Sequence, residues 1–144
     1  MKNNIIILIL IFLSSCNKSV NQYIKNSGNS QQRHGKWVEK YPVNDGEMVA
    51  SGKYKNGEKT GVWKTFYNHQ LYQKDKTING VTKTKIFHPN GRIMEKGQSR
   101  LDVTENGRHW CYYGDWKYYD ENGKLETIKK YDKGEKTDSV AIKR

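Results

Sequence analysis

Two cysteines, four histidines, a carboxylate pair and a set of aromatics among lysines are the residues here with chemistry to offer. A metal site needs His, Cys or carboxylate ligands at close spacing or gathered by the fold. His34, His69, His88 and His109 lie 35, 19 and 21 residues apart, with no close ligand partner. His69 and His88 fall in or beside turns, where exposed turn residues are expected rather than ligands. Asp120 and Glu121 stand before a turn, where carboxylates cap backbone amides, and acid–base work on a glycan would need a second carboxylate about 5–10 Å away across a cleft. The sequence holds no Gly-x-x-x-x-Gly-Lys-Ser/Thr, Gly-x-Ser-x-Gly or Cys-x-x-Cys, the short patterns tied to phosphate cradling, acyl transfer and redox chemistry. The expectation is a protein without enzymatic activity, cofactor, metal or small-molecule substrate.

Cys16 is a different case. A charged lead, Met1-Lys2-Asn3-Asn4, precedes nine apolar residues, Ile5 to Leu13, and then Ser14-Ser15-Cys16. Spanning a bilayer takes about 20 apolar residues, so this run has the layout of a secretion signal with small residues at its cut site. Leu13-Ser14-Ser15-Cys16 resembles the lipobox of bacterial lipoproteins. The resemblance implies that residues 1–15 are removed, that the Cys16 thiol takes a diacylglycerol, and that the new amino terminus is often acylated too. Two or more acyl chains anchor stably where one does not. The expected address is the cell envelope. Asn17-Lys18-Ser19-Val20 carries no acidic surface-export cluster, which favours an outer membrane facing the periplasm in a two-membrane cell. With Cys16 given to lipid, Cys111 has no disulfide partner, and its neighbours Trp110 and Tyr112 point to a buried, inert thiol.

The formal charge is +11 over 144 residues. Removing residues 1–15 takes away one lysine and leaves +10. Such a balance suits anionic lipid, acidic polymer or an acidic protein. Lysines scattered over a solvated sheet, where they blunt strand edges, give the same total.

These side chains need elements to hold them. Residues 16–33 are polar and aperiodic, and are expected as the lipidated cysteine and a flexible tether reaching roughly 20–25 Å. Beyond Gly35 the chain is cut by turns. Asn-Gly occurs at 56–57, 79–80, 90–91, 106–107 and 122–123, with Asp45-Gly46 and Lys133-Gly134 besides. Asn and Gly tolerate the positive φ of type I′ turns, so Asn-Gly between β-prone runs signals a hairpin. Gly46 to Gly57, Gly80 to Gly91 and Gly123 to Gly134 are each eleven residues; Gly57 to Gly80 is twenty-three, two steps with a degenerate turn near His69-Gln70. One short strand and one turn fit each step. Between Gly97 and Gly114 the register blurs. After the signal and tether, residues 34–140 are expected as an all-β domain, a single elongated antiparallel sheet of stacked β-hairpins, with 141–144 as a basic tail. The part after Cys16 holds only 19 Leu, Ile, Val and Phe in 128 residues but sixteen aromatics, so the core is expected to be thin and aromatic.

The segments also repeat. Trp63-Lys64-Thr65-Phe66-Tyr67 matches Trp116-Lys117-Tyr118-Tyr119; Thr84-Lys85-Ile86-Phe87 keeps the Lys and Phe without the Trp; Gly57-Glu58-Lys59-Thr60 returns as Gly134-Glu135-Lys136-Thr137. This pattern resembles MORN-type repeats of the bacterial variety found in YwqK-family antitoxin-like proteins. The resemblance covers about 105 of the 144 residues and departs where the third unit loses its Gly and Trp. It implies a sheet of stacked hairpins, an interaction module or antitoxin, and no catalytic residues. Aromatics among lysines can stack on bases or sugars or serve as cross-strand filler, and their fixed place in each unit favours filler. Alternation nevertheless puts aromatics on both faces, and an open face of several hundred Å² marks a partner site. Trp63, Phe66, Trp110, Tyr112, Trp116, Tyr118 and Tyr119 are the candidate binding surface. The expected partner is a protein, toxin-like, with nucleic acid excluded by the envelope address. The alternative is a structural envelope component binding acidic glycan or lipid.

Overall fold

The computed structural model describes residues 19–143 except 106. The signal peptide, Cys16 and its lipidation therefore lie outside the described residues. Ten strands make one open antiparallel sheet in strict chain order. They are β1 (Gln22–Lys25), β2 (Gln31–Val43), β3 (Gly46–Lys55), β4 (Glu58–Tyr67), β5 (Gln70–Ile78), β6 (Val81–Phe87), β7 (Ile93–Thr104), β8 (Gly107–Tyr119), β9 (Leu125–Asp132) and β10 (Glu135–Ala141). The expected sheet of consecutive hairpins is what forms.

The tight turns follow their chemistry. Asn56-Gly57 (φ 51° and 82°) and Asn79-Gly80 (50° and 74°) have both central residues at positive φ, the condition of a type I′ hairpin. The degenerate turn is Asn68-His69, which takes the same shape at φ 45° and 68°.

Two boundaries differ from expectation. Residues 22–25 and 31–33, expected as tether, pair as the first hairpin, with Tyr23 opposite Arg33. The Asn26 carboxamide closes its turn by accepting from the Gly28 and Ser30 amides, and the Tyr23 ring packs edge-on against Trp37 at 5.1 Å. The free edge of β2 supplies what composition did not. At the other end, Ala141 belongs to β10 and the Ile142 amide donates to the Glu126 carbonyl, so the sheet runs into the expected tail. The blurred stretch holds the two longest neighbours, β7 with 12 residues and β8 with 13.

Register fixes two unlike faces. Directly opposed residues of an antiparallel pair share a face. Trp37 lies opposite Gly52, Trp63 opposite Asp75, Asp75 opposite Thr84, and Thr84 opposite Gly97. Among the described residues Trp37, Ala50, Tyr54, Thr84, Trp63 and Trp116 are the buried side chains, and all lie on this aromatic face. Lysines fill the other.

Candidate functional site

The aromatic face is built from a repeated device. Gly35, Gly61 and Gly114 each stand two residues before a tryptophan and hold φ of 74°, 65° and 65°, a left-handed conformation that glycine takes without strain. Trp63 and Trp116 sit where the pairing is irregular between Ser51 and Lys53, and between Lys96 and Gln98. Each ring lies flat over a glycine of the preceding strand. A Cβ on Gly52 would fall 2.3 Å from Trp63 Cδ2, and one on Gly97 would fall 2.2 Å from Trp116 Cδ2. Each indole N–H donates to the carbonyl next to that glycine, Trp63 to Lys53 at 3.0 Å and Trp116 to Gln98 at 3.1 Å.

Rings then tile the face in two groups. Tyr23, Trp37, Tyr54 and Trp63 form a chain of edge-to-face contacts at 5.1, 5.5 and 5.2 Å, each contributing about 0.5–1.5 kcal/mol beyond area burial. Tyr112 stacks on Trp116 at 4.1 Å and meets Tyr131 edge-on.

Between the groups the third unit has Thr84 in the tryptophan's place and Asp75 in the glycine's. The Thr84 hydroxyl donates to Asp75 Oδ1 at 2.7 Å, and the Gln73 amide donates to Oδ2 at 2.8 Å. These side chains are far smaller than an indole, and a groove of about 490 Å³ opens above them. Its floor is Thr65, Gln73, Asp75, Thr77, Thr82 and Thr84; its walls are Tyr54 and Trp63 on one side and Trp110, Tyr112 and Trp116 on the other. No cation lies within ion-pair distance of Asp75 among the described residues. The floor is thus negative and rich in acceptors.

Beside the groove, Glu39 anchors a polar knot. Its Oε1 accepts from Arg33 at 2.7 Å and Tyr54 at 2.8 Å; its Oε2 accepts from Lys59 at 2.8 Å and Tyr41 at 2.6 Å. Burial alone would raise its pKa, but the hydrogen bonds from Lys59, Tyr41 and Tyr54 prevail and lower it from 4.5 to about 2. The Glu39 carboxylate in turn pushes the Tyr41 phenol up to about 12. Past the groove, burial raises Glu95 against the opposing pull of Lys129 and Tyr118, and raises Tyr118 as well.

The seven candidate surface residues separate. Trp63 and Trp116 are 3% and 2% exposed and belong to the core, whereas Trp110 and Tyr112 are 49% and 46% exposed at the groove wall. Tyr118 shares that face under the Lys129 ammonium, 4.3 Å from its ring centre. Phe66 and Tyr119 lie half-buried on the lysine face, opposite Leu71 and Leu125. Cys111, expected as buried, is half-buried and makes no disulfide among the described residues. The floor residues were not singled out from sequence, although the lost tryptophan at position 84 was their signal. Among the described residues no group of three or more His, Cys, Asp or Glu could hold a metal ion. Comparisons of the chain with protein-family models, with curated proteins and with solved structures each find no match.

Proposed function

We propose that this chain is a non-catalytic binding module, anchored to the envelope membrane through lipidated Cys16, that captures a protein partner on its aromatic face as an immunity factor would capture a toxin. The observation that carries the reading is the groove itself. Two half-exposed rings, Trp110 and Tyr112, face an acceptor floor whose one carboxylate, Asp75, has no cation within ion-pair distance among the described residues. Aromatic rings and a carboxylate together suit an Arg or Lys side chain, through cation–π attraction and charge-assisted hydrogen bonds. Exposed tryptophan and tyrosine are also the residues most enriched among binding hot spots.

Cross-linked capture from envelope extracts tests it, with wild type, Trp110→Ala and Asp75→Asn run side by side. A partner held by wild type and lost from both variants supports the reading. Recovery of no partner, or of one indifferent to both substitutions, overturns it. The anchor is tested separately: Cys16→Ala abolishes labelling with radioactive palmitate, and retained label refutes lipidation there.

A further inference from the structure

The opposite face carries a feature that net charge alone does not contain. Lys64 lies directly opposite Lys74, Lys74 opposite Lys85, Lys85 opposite Lys96, and Lys96 opposite Lys117. Five strands thus align five lysines in one unbroken row, about 4.8 Å from strand to strand. Lys76 and Lys83, also mutually opposed, flank it. No carboxylate approaches any of these seven within ion-pair distance among the described residues. Alternation keeps the acids away: in Lys74-Asp75-Lys76 the aspartate faces the groove and both lysines face outward. Like charges directly opposed across strands destabilise a sheet, and among the seven only Lys96 meets a ring in return, its ammonium 5.1 Å from the centre of Tyr119, so the row as a charge pattern costs the fold.

From this we infer that the row is a binding track for a linear polyanionic glycan, a polysaccharide bearing carboxylate, sulfate or phosphate groups along its length. Three observations select that ligand. The spacing is regular because strand separation sets it, and a regular polymer matches it where the irregular charges of a protein surface do not. The sheet curls toward its aromatic face, where a β8 side chain reaches β4, Arg108 to Glu58 at 2.8 Å. The row therefore follows the outside of an arc; a flexible chain tracks an arc, while a flat bilayer meets only its crest. Among the described residues the exposed aromatics Tyr23, Tyr41, Trp110 and Tyr112 all belong to the other face; the rings beside the row, Phe66 and Tyr119, are half-buried, and Lys96 covers Tyr119, which leaves a nucleic-acid base no open ring to stack upon. The inference does not depend on the groove or on its partner.

The test uses the soluble chain from residue 17 onward, with polygalacturonate, neutral dextran and phosphatidylglycerol-rich vesicles as probes. Polygalacturonate binds, dextran does not, and raising the salt weakens the complex as screening requires. Lys74→Gln/Lys85→Gln/Lys96→Gln lowers the affinity by about tenfold or more, from three lost close charge contacts reduced by solvent screening. Its melting temperature stays level or rises, because repulsion has been removed. Lys25→Gln/Lys124→Gln/Lys136→Gln sheds equal charge off the row and keeps the affinity within about twofold, because distant exposed charges are screened. Equal loss from both triple variants, vesicle binding without glycan binding, or no binding of polygalacturonate overturns the inference.

Discussion

Arg108 Nη1 lies 2.8 Å from Glu58 Oε1, although β5, β6 and β7 stand between the strands that carry them. A flat sheet would hold β4 and β8 about 19 Å apart, four strand spacings. The contact exists because the sheet curls toward its aromatic face and the β7–β8 hairpin outruns its neighbour: Val81, the first residue of β6, pairs with Arg100, which pairs in turn with Cys111, so residues 101–105 and 107–110 extend past the end of β6. Curled over the aromatic face, that extension brings Trp110 to the groove. Both partners are about half-exposed, so Arg108→Ala costs stability only about 0.2–1 kcal/mol. Its larger effect is local. Amide exchange across residues 103–111 quickens while the rest of the sheet keeps its protection, and unchanged exchange there refutes a latching role.

The indole-on-glycine packing leaves no room for a methyl group. Gly52→Ala and Gly97→Ala each drive a Cβ into a tryptophan whose ring is fixed by its own hydrogen bond. Overpacking of this kind costs about 1–3 kcal/mol. Gly28, whose nearest neighbour to an added Cβ is the Asn26 side chain at 3.5 Å, is the control: Gly28→Ala stays within about 0.5 kcal/mol of wild type, as surface changes do. Urea denaturation of the three variants decides the matter, and equal midpoints dispose of it.

Most of the sheet was legible because its turns announce themselves. Asn56-Gly57 and Asn79-Gly80 take the φ values their side chains favour, and even Asn68-His69 was marked by the doubled interval. What escaped did so for physical reasons. Residues of β1 are all exposed, so no periodicity marks them, and their pairing depends on a neighbouring edge. The long β7–β8 hairpin had a signal in the sixteen-residue intervals Gly91–Gly107 and Gly107–Gly123, longer than the eleven used elsewhere. Thr84 read as a decayed repeat because only the packing of Trp63 and Trp116 on either side shows that its smallness opens a groove. The lysine row was half visible in the repeated Lys64, Lys85 and Lys117; Lys74 and Lys96 join it only through register.

Glu39 makes stability depend on acid. Its carboxyl is held at about 2 in the folded chain against 4.5 ordinarily. A depressed pKa stabilises the fold fully above the unfolded value, and that stability drains as pH falls from about 4.5 toward 2. The contribution is about 2 kcal/mol, below the full equivalent of the shift because Arg33 and Lys59, each 44% exposed, are screened by solvent. Tyr41 acts at the other extreme. Its raised pKa, about 12, stabilises below 10 and is lost as pH rises from there toward 12. Glu39→Gln removes the acid-side slope, seen as melting temperatures that no longer fall between pH 4.5 and 2.5. A slope that survives the substitution assigns it to another carboxyl.

If the groove exists because the third unit lost its tryptophan, restoring the tryptophan closes it. Thr84→Trp alone is blocked by Asp75, which stands where the other units place a glycine. Asp75→Gly/Thr84→Trp recreates the pair seen at Gly52 with Trp63 and at Gly97 with Trp116. The double variant folds with the same β-sheet circular dichroism and buries one further indole between Trp63 and Trp116. It melts higher than Thr84→Trp, by several degrees, since relieving about 1–3 kcal/mol of overpacking moves the midpoint of a domain this size by roughly 2–8 °C. The captured partner is lost, because the acceptor floor is gone while Trp110 and Tyr112 remain. A double variant no more stable than the single one shows that Thr84 does not stand in a tryptophan's place. A double variant that folds and still retains the partner moves the binding surface off this groove.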